Sequence, residues 1–140
     1  MGLTVACLEN AVRFYGGVLD GTLLERAEIE GADSALITGL EGSRVVCADL
    51  LLPNGVLLEL IQYVSPQCLP LTQQRCAPGH THIAFCVSDA DAAYAKVGLF
   101  GGRAQSLPVL LRYPGSEWDG MRVFYALDPD GRTIEFVQAP

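Results

Sequence analysis

The chain has 140 residues, with 9 Lys plus Arg against 16 Asp plus Glu, a net charge of −7, half of its residues hydrophobic and 18% charged. That length suits one domain with a core of its own, and so apolar a composition excludes an intrinsically disordered chain. Nine scattered basic residues against an acidic balance exclude a nucleic-acid surface, which needs a clustered basic footprint.

No apolar run approaches the ~18–20 residues of a membrane span. The start, Met1-Gly2-Leu3-Thr4-Val5-Ala6, has no basic segment, Glu9 interrupts any apolar stretch, and Ala6 stands where a myristoylation pattern needs Ser or Thr. Neither a signal peptide nor a lipid anchor is expected. Cys7, Cys47, Cys68, Cys76 and Cys86 are odd in number and form no Cys-x-x-Cys. They are expected as reduced thiols packed as small apolar residues in a cytoplasmic protein.

The organising feature is an internal repeat. Val5 to Tyr15 and Val87 to Val97 both read as a strand end entering a helix. Leu8, Ala11, Val12 and Tyr15 stand at i, i+3, i+4 and i+7, and Ala90, Ala93, Tyr94 and Val97 repeat that stripe in register. Ser88 and Asp91 have capping-box spacing at the second helix start, whereas Cys7 stands in the first copy where Asp89 stands in the second.

Each copy then ends in a hairpin. Val45 to Leu52 and Val56 to Tyr63 flank Pro53-Asn54-Gly55, and Met121 to Leu127 and Arg132 to Gln138 flank Asp128-Pro129-Asp130-Gly131. Asn-Gly and Asp-Gly are strong hairpin signals because both turn positions tolerate positive φ. The closing strands, Leu58-Glu59-Leu60-Ile61-Gln62 and Ile134-Glu135-Phe136-Val137-Gln138, agree position by position. A further strand is expected near Leu23 to Glu30, and another near Arg103 to Leu111, broken by Pro108. The expectation is α+β: two βαβββ modules (2–63 and 81–138) joined by a Pro-rich linker (64–80). They pack as one domain, 1–140, with an eight-stranded cupped mixed sheet and the helices outside.

Three polar residues interrupt this apolar pattern. Strand alternation puts Glu59 with Leu57 and Ile61, and Glu135 with Thr133 and Val137. It also puts His82 with Ala84 and Cys86, opposite the bulkier Ile83, Phe85 and Val87 that belong under a helix. A lone strand glutamate is ordinarily a solvent-facing one, but two at the same point of two repeats can converge where the modules meet. With His82 they form a mixed N/O set suited to a divalent transition metal. His80 is read as a rim residue beside the linker. Tyr113, Tyr125 and Trp118 are read as core or rim aromatics that could also wall an apolar cleft. The loop Arg112 to Gly120 is a surface loop or a lid, and Arg112 and Arg122 are structural or meet an anionic substrate group. No phosphate-cradling glycine loop is present, so no nucleotide cofactor is indicated.

Together these features resemble the vicinal oxygen chelate superfamily of glyoxalases, extradiol dioxygenases, methylmalonyl-CoA epimerases and bleomycin- or fosfomycin-resistance proteins. Its carriers are Gly2-Leu3-Thr4-Val5 with Ala11 to Tyr15, Leu57-Leu58-Glu59-Leu60, Gly79-His80-Thr81-His82-Ile83-Ala84-Phe85 and, most specifically, Asp128 to Phe136. The resemblance implies paired βαβββ modules around a divalent ion (Zn, Ni, Co, Mn or Fe) held by Glu59, His82 and Glu135. It further implies that Glu59 or Glu135 serves as catalytic base toward a small-molecule substrate, and that the protein is a homodimer. The place equivalent to His82 in the first module falls immediately before Met1. The open alternatives are a ligand upstream, a three-ligand site completed by water or substrate, and a metal-free cup. The implied activity is that of an isomerase, epimerase or lyase of glyoxalase type. The alternatives are a non-haem iron dioxygenase and a metal-free drug- or metabolite-binding protein.

Overall fold

The computed structural model describes residues 1–67, 69 and 76–140, so Cys68 and part of the expected linker lie outside the described residues. The chain divides into two compact units, Met1–Pro70 and Leu71–Pro140. The first runs β1 (Gly2–Thr4), α1 (Leu8–Val18), β2 (Thr22–Glu30), α2 (Gly31–Thr38), β3 (Arg44–Leu51) and β4 (Leu57–Ser65). Its sheet order is β1-β4-β3-β2, with β1 parallel to β4 and the other pairs antiparallel. The second runs β5 (Ile83–Cys86), α3 (Ala90–Leu99), β6 (Arg103–Ala104), β7 (Val109–Leu110), β8 (Arg122–Leu127) and β9 (Thr133–Gln138). Its order is β5-β9-β8-β6, with β7 also on β8 and β5 parallel to β9.

The α+β class and the repeated βαβββ order are those expected. The strand expected near Arg103 to Leu111 is divided into β6 and β7. Pro108 stands between them and has no N–H to give a ladder. Among the described residues that division makes nine strands, in two sheets of four and five, where one sheet of eight was expected. No helix among the described residues is long and apolar enough to cross a membrane.

In each unit one face of the sheet lies under a helix. Helix α1 buries Leu8, Ala11, Phe14, Tyr15 and Val18, and Leu3, Ala48, Leu50, Leu58 and Leu60 are buried on the strands. Helix α3 buries Ala90, Ala93 and Val97, beside Phe85, Ile134 and Phe136. Phe124 and Phe136 stack at 4.7 Å between centroids, and Tyr94 meets Phe124 edge-on at 5.6 Å.

The identical glutamines of the closing strands have a structural role. Gln62 Oε1 accepts the Leu8 N–H at 2.7 Å, and Gln138 Oε1 accepts the Ala90 N–H at 2.9 Å. Each satisfies one of the helix's unpaired first-turn donors. At α3 the N-cap is Asp89, whose side chain also accepts from the Asp91 and Ala92 N–H groups. The cap is therefore one residue later than the Ser88 spacing suggested. Cys7 holds nearly the same backbone geometry at α1 (φ −139, ψ 112 against −147, 107) without a side-chain cap bond.

The element missed in sequence is α2. Of its residues Ser34 is buried, while Leu36 and Ile37 are exposed, so no apolar stripe announces it. It is held by hydroxyls: Ser34 Oγ lies 2.7 Å from Ser43 Oγ, and Thr38 Oγ1 lies 2.9 Å from the same atom. Gly39 ends it in the left-handed conformation (φ 70).

Two opposite stability changes follow from the caps. Asp89→Ala should lower the unfolding free energy by about 1 kcal/mol, and Cys7→Asp should raise it by a similar amount, about 0.5–1 kcal/mol. Urea-induced unfolding of the two variants, compared at equal slope, checks both signs.

Candidate functional site

The strand period that sends Leu58, Leu60 and Gln62 toward α1 sends Glu59 to the opposite face. Its register neighbours there are Gly2 on β1 and Asp49 on β3, and Asp49 in turn pairs with Glu25 on β2. Glu59 is partly exposed. Gly2 matters for its placement, because a Cβ built there would lie 3.3 Å from Glu59 Oε2. The carboxylate thus lies over a strand that offers no side chain at that point. Carboxylates directly opposite one another on a sheet repel, so the row from Glu25 to Glu59 concentrates negative charge on this face. Cys47, one pair along on β3, has its thiol pushed up by burial first and by the charge of Glu59 second.

In the second unit the corresponding row is Ala84, Glu135 and Tyr125. Glu135 is buried, as is Thr133 two residues before it. A carboxylate taken from water needs compensating partners. His82 Nε2 lies 3.1 Å from Glu135 Oε2, and the His82 side chain keeps 48% of its exposure against 12% for Glu135. Tyr125 is the register partner of Glu135 on β8, and its phenol is pushed up by burial first and then by that carboxylate's charge. The Tyr125 ring meets the imidazole edge-on, with centroids 5.7 Å apart and planes at 75°.

Of the three candidate ligands, His82 and Glu135 are therefore adjacent, and Glu59 stands at the equivalent point of the first unit. Among the described residues no group of three or more His, Cys, Asp or Glu is gathered in a form that could hold a metal ion. The pair itself fits the chemistry of one. Two ligands with bonds of about 2.1 Å to a common ion lie roughly 3.0 Å apart when cis and roughly 3.4 Å apart in a tetrahedron. The His82–Glu135 separation falls inside that interval, with one imidazole nitrogen and one carboxylate oxygen as donors.

His80 Nε2 lies 3.1 Å from Thr133 Oγ1, a structural contact beside the site. Both terminal guanidinium nitrogens of Arg122 are taken by Asp91, so this arginine ties β8 to the start of α3. Arg26 grips Glu9 in the same manner at the start of α1. Arg112 is exposed. The loop before β8 is stitched by its own bonds: Asp119 Oδ1 accepts the Tyr113 N–H at 2.8 Å, and Ser116 Oγ accepts the Trp118 N–H at 3.1 Å. The residue that sequence reasoning underrated is Tyr125. Its signal was available, since hairpin register places it directly across from Glu135.

If Gly2 makes room for Glu59, a side chain there should disturb it. Gly2→Val should displace the carboxylate and leave the second unit unchanged. Backbone amide NMR would show shifts confined to β1, β4 and β3.

The sequence pattern of the Glyoxalase/Bleomycin resistance protein/Dioxygenase superfamily matches residues 1–136. No curated protein matches the sequence closely. Among solved structures, a glyoxalase family protein from Bacillus cereus is 24% identical, with TM-score 0.83 over 99% of this chain and 91% of that one. Glyoxalase I from Zea mays is 17% identical, with TM-score 0.69 over 98% of this chain and 42% of that one. The fosfomycin resistance protein FosX from Listeria monocytogenes, solved with Mn(II) and sulfate, is 14% identical, with TM-score 0.62 over 99% and 88%. At these identities the structural likeness is one of fold.

Proposed function

The chain belongs to the Glyoxalase/Bleomycin resistance protein/Dioxygenase superfamily, and on that premise we propose that it is a metal-dependent enzyme of vicinal oxygen chelate type. In this reading it is an isomerase, epimerase or lyase that removes a proton α to a carbonyl of a small oxygenated metabolite. The observation that carries the reading is the His82–Glu135 pair, 3.1 Å apart, at the repeat position that Glu59 occupies in the first unit.

His82, Glu135 and Glu59 would hold the ion. When bound, a divalent ion of the Zn, Ni, Co, Mn or Fe type supplies Lewis-acid polarisation of adjacent substrate oxygens. The chain's own groups do the rest. Glu59 or Glu135 takes the proton from carbon and returns it to the product. His82 keeps Glu135 oriented. The burial of Glu135 and Thr133 limits the access of water to this end of β9. Two carboxylates with one imidazole suit this chemistry better than that of a non-haem iron dioxygenase, which favours two histidines and one carboxylate. The same reading takes the protein to be a cytoplasmic homodimer. Its support is the four free cysteines among the described residues and the dimers common in this superfamily.

A second reading, a metal-free protein that binds a drug or metabolite, has its own support in the exposed rings of Tyr113 and Trp118. Metal analysis separates the two. Protein purified without chelator should carry a divalent ion, and Glu59→Gln, His82→Ala and Glu135→Gln should each weaken its binding by at least about tenfold in calorimetric titration. The unfolding midpoints of the metal-free variants should stay close to the parent. A wild-type protein that takes up none of the five ions would favour the second reading instead.

A further inference from the structure

We propose that Arg103 is the anion-binding residue of the site, and that the substrate carries a carboxylate at the end remote from its chelating oxygens. The inference rests on the metal-site reading above for the chelating end. The place of the arginine is a property of the second unit alone.

Register puts Arg103 on the face of the ligand pair. Arg103 pairs with Leu127 on β8, and Leu127 pairs with Thr133 on β9. Thr133 stands two residues before Glu135 on the same strand, so the side chains of all four leave the sheet on one face. The opposite face belongs to α3, with Phe85, Phe124, Ile134 and Phe136 buried there. His82 immediately precedes Ile83, whose partner is Ile134. The order β5-β9-β8-β6 therefore sets His82 at one edge of this face and Arg103 at the other.

Arg103 also differs from the other cations. Arg26, Arg44 and Arg132 meet carboxylates, and Arg13 and Lys96 have partners as well. Arg122, which the sequence offered for an anionic substrate group, is occupied by Asp91 on the α3 side. Arg112 stands past the end of β7, in the loop before β8. Arg103 is exposed and makes no ion pair among the described residues, and the residues outside them, 68 and 70–75, include no Asp or Glu. In a chain of net charge −7, a guanidinium on the ligand face with no acid beside it is a planar donor fork open to a group from solution. One guanidinium matches the single charge of a carboxylate.

Strand spacing fixes the length of such a substrate. Two strands across and one two-residue step along separate the Cα atoms of Arg103 and Glu135 by roughly 12 Å. An extended arginine covers part of that distance, and a chain of a few carbons covers the rest. Leu127 lies between, partly exposed, so the middle of that chain meets an apolar side chain. The class indicated is a short dicarboxylate with an oxo or hydroxy group beside one of its carboxylates.

The test uses the full chain loaded with Co(II), at low ionic strength because an exposed charge is screened by salt. Calorimetric titration compares α-ketoglutarate, with a carboxylate at each end, and α-ketovalerate, which lacks the distal one. Wild type should prefer α-ketoglutarate by about threefold to tenfold. Arg103→Gln should abolish the preference while keeping the wild-type affinity for α-ketovalerate and for Co(II), and Arg103→Lys should retain part of it. No preference in wild type, or an intact one in Arg103→Gln, overturns the proposal. If the chain takes up no Co(II), the metal reading fails separately, and the arginine is tested in the metal-free protein with glutarate. The Arg103 Nε–H signal in proton–nitrogen NMR should then shift saturably; a signal that stays in place overturns the proposal.

Discussion

Everything else in the two units depends on a glutamine that reaches from a closing strand to the first free N–H of a helix. Gln62 does this for α1, and Gln138 does it for α3. The bond fixes which face of the strand looks toward the helix. Since successive side chains alternate, a residue three positions earlier must look the other way. Glu59 and Glu135 are those residues. The spacing Glu-x-x-Gln thus combines a structural tie and an outward-directed carboxylate in four residues, and it does so twice.

Duplication set up this scaffold, but the surroundings of the two glutamates have diverged. Around Glu59 the cross-strand neighbours are Gly2, Asp49 and, beyond it, Glu25. Around Glu135 they are Ala84 and Tyr125, with His82 alongside. The residue on the parallel strand is small in both units, and at Gly2 the missing Cβ leaves the carboxylate room. The other neighbour changed from an acid to a neutral tyrosine. Strand pairing therefore repeats faithfully, while electrostatics distinguishes one carboxylate from the other.

Much of this was legible in the residues. The apolar stripes of α1 and α3, the Asn-Gly and Asp-Gly turns and the paired closing strands all follow from local rules, because each depends on neighbours close in sequence. The outward face of His82 was also readable, from the bulk of Ile83 and Phe85 on the other side. What escaped was governed by contacts that periodicity does not register. Helix α2 is stabilised by three hydroxyls and a left-handed glycine instead of an apolar stripe. The cap of α3 fell to Asp89 instead of Ser88, because an aspartate side chain in extended backbone reaches two N–H groups at once. Tyr125 was read as a core, rim or cleft-wall aromatic and not as the neighbour of Glu135, because an aromatic at a strand position reads first as packing. The proximity of His82 to Glu135 needed the parallel register of β5 with β9, which no short segment contains.

Strand β2 closes off the four-stranded sheet and is exposed along nearly all of its nine residues. A terminal strand of that length in so apolar a chain is an invitation to add a foreign strand, the first step toward fibrous aggregates. Glu25, Glu28 and Glu30, with Arg26 among them, place charge on both of its faces. An incoming copy of the same strand would bring its own acids against these, so the molecule's surplus of negative charge doubles as protection against self-polymerisation.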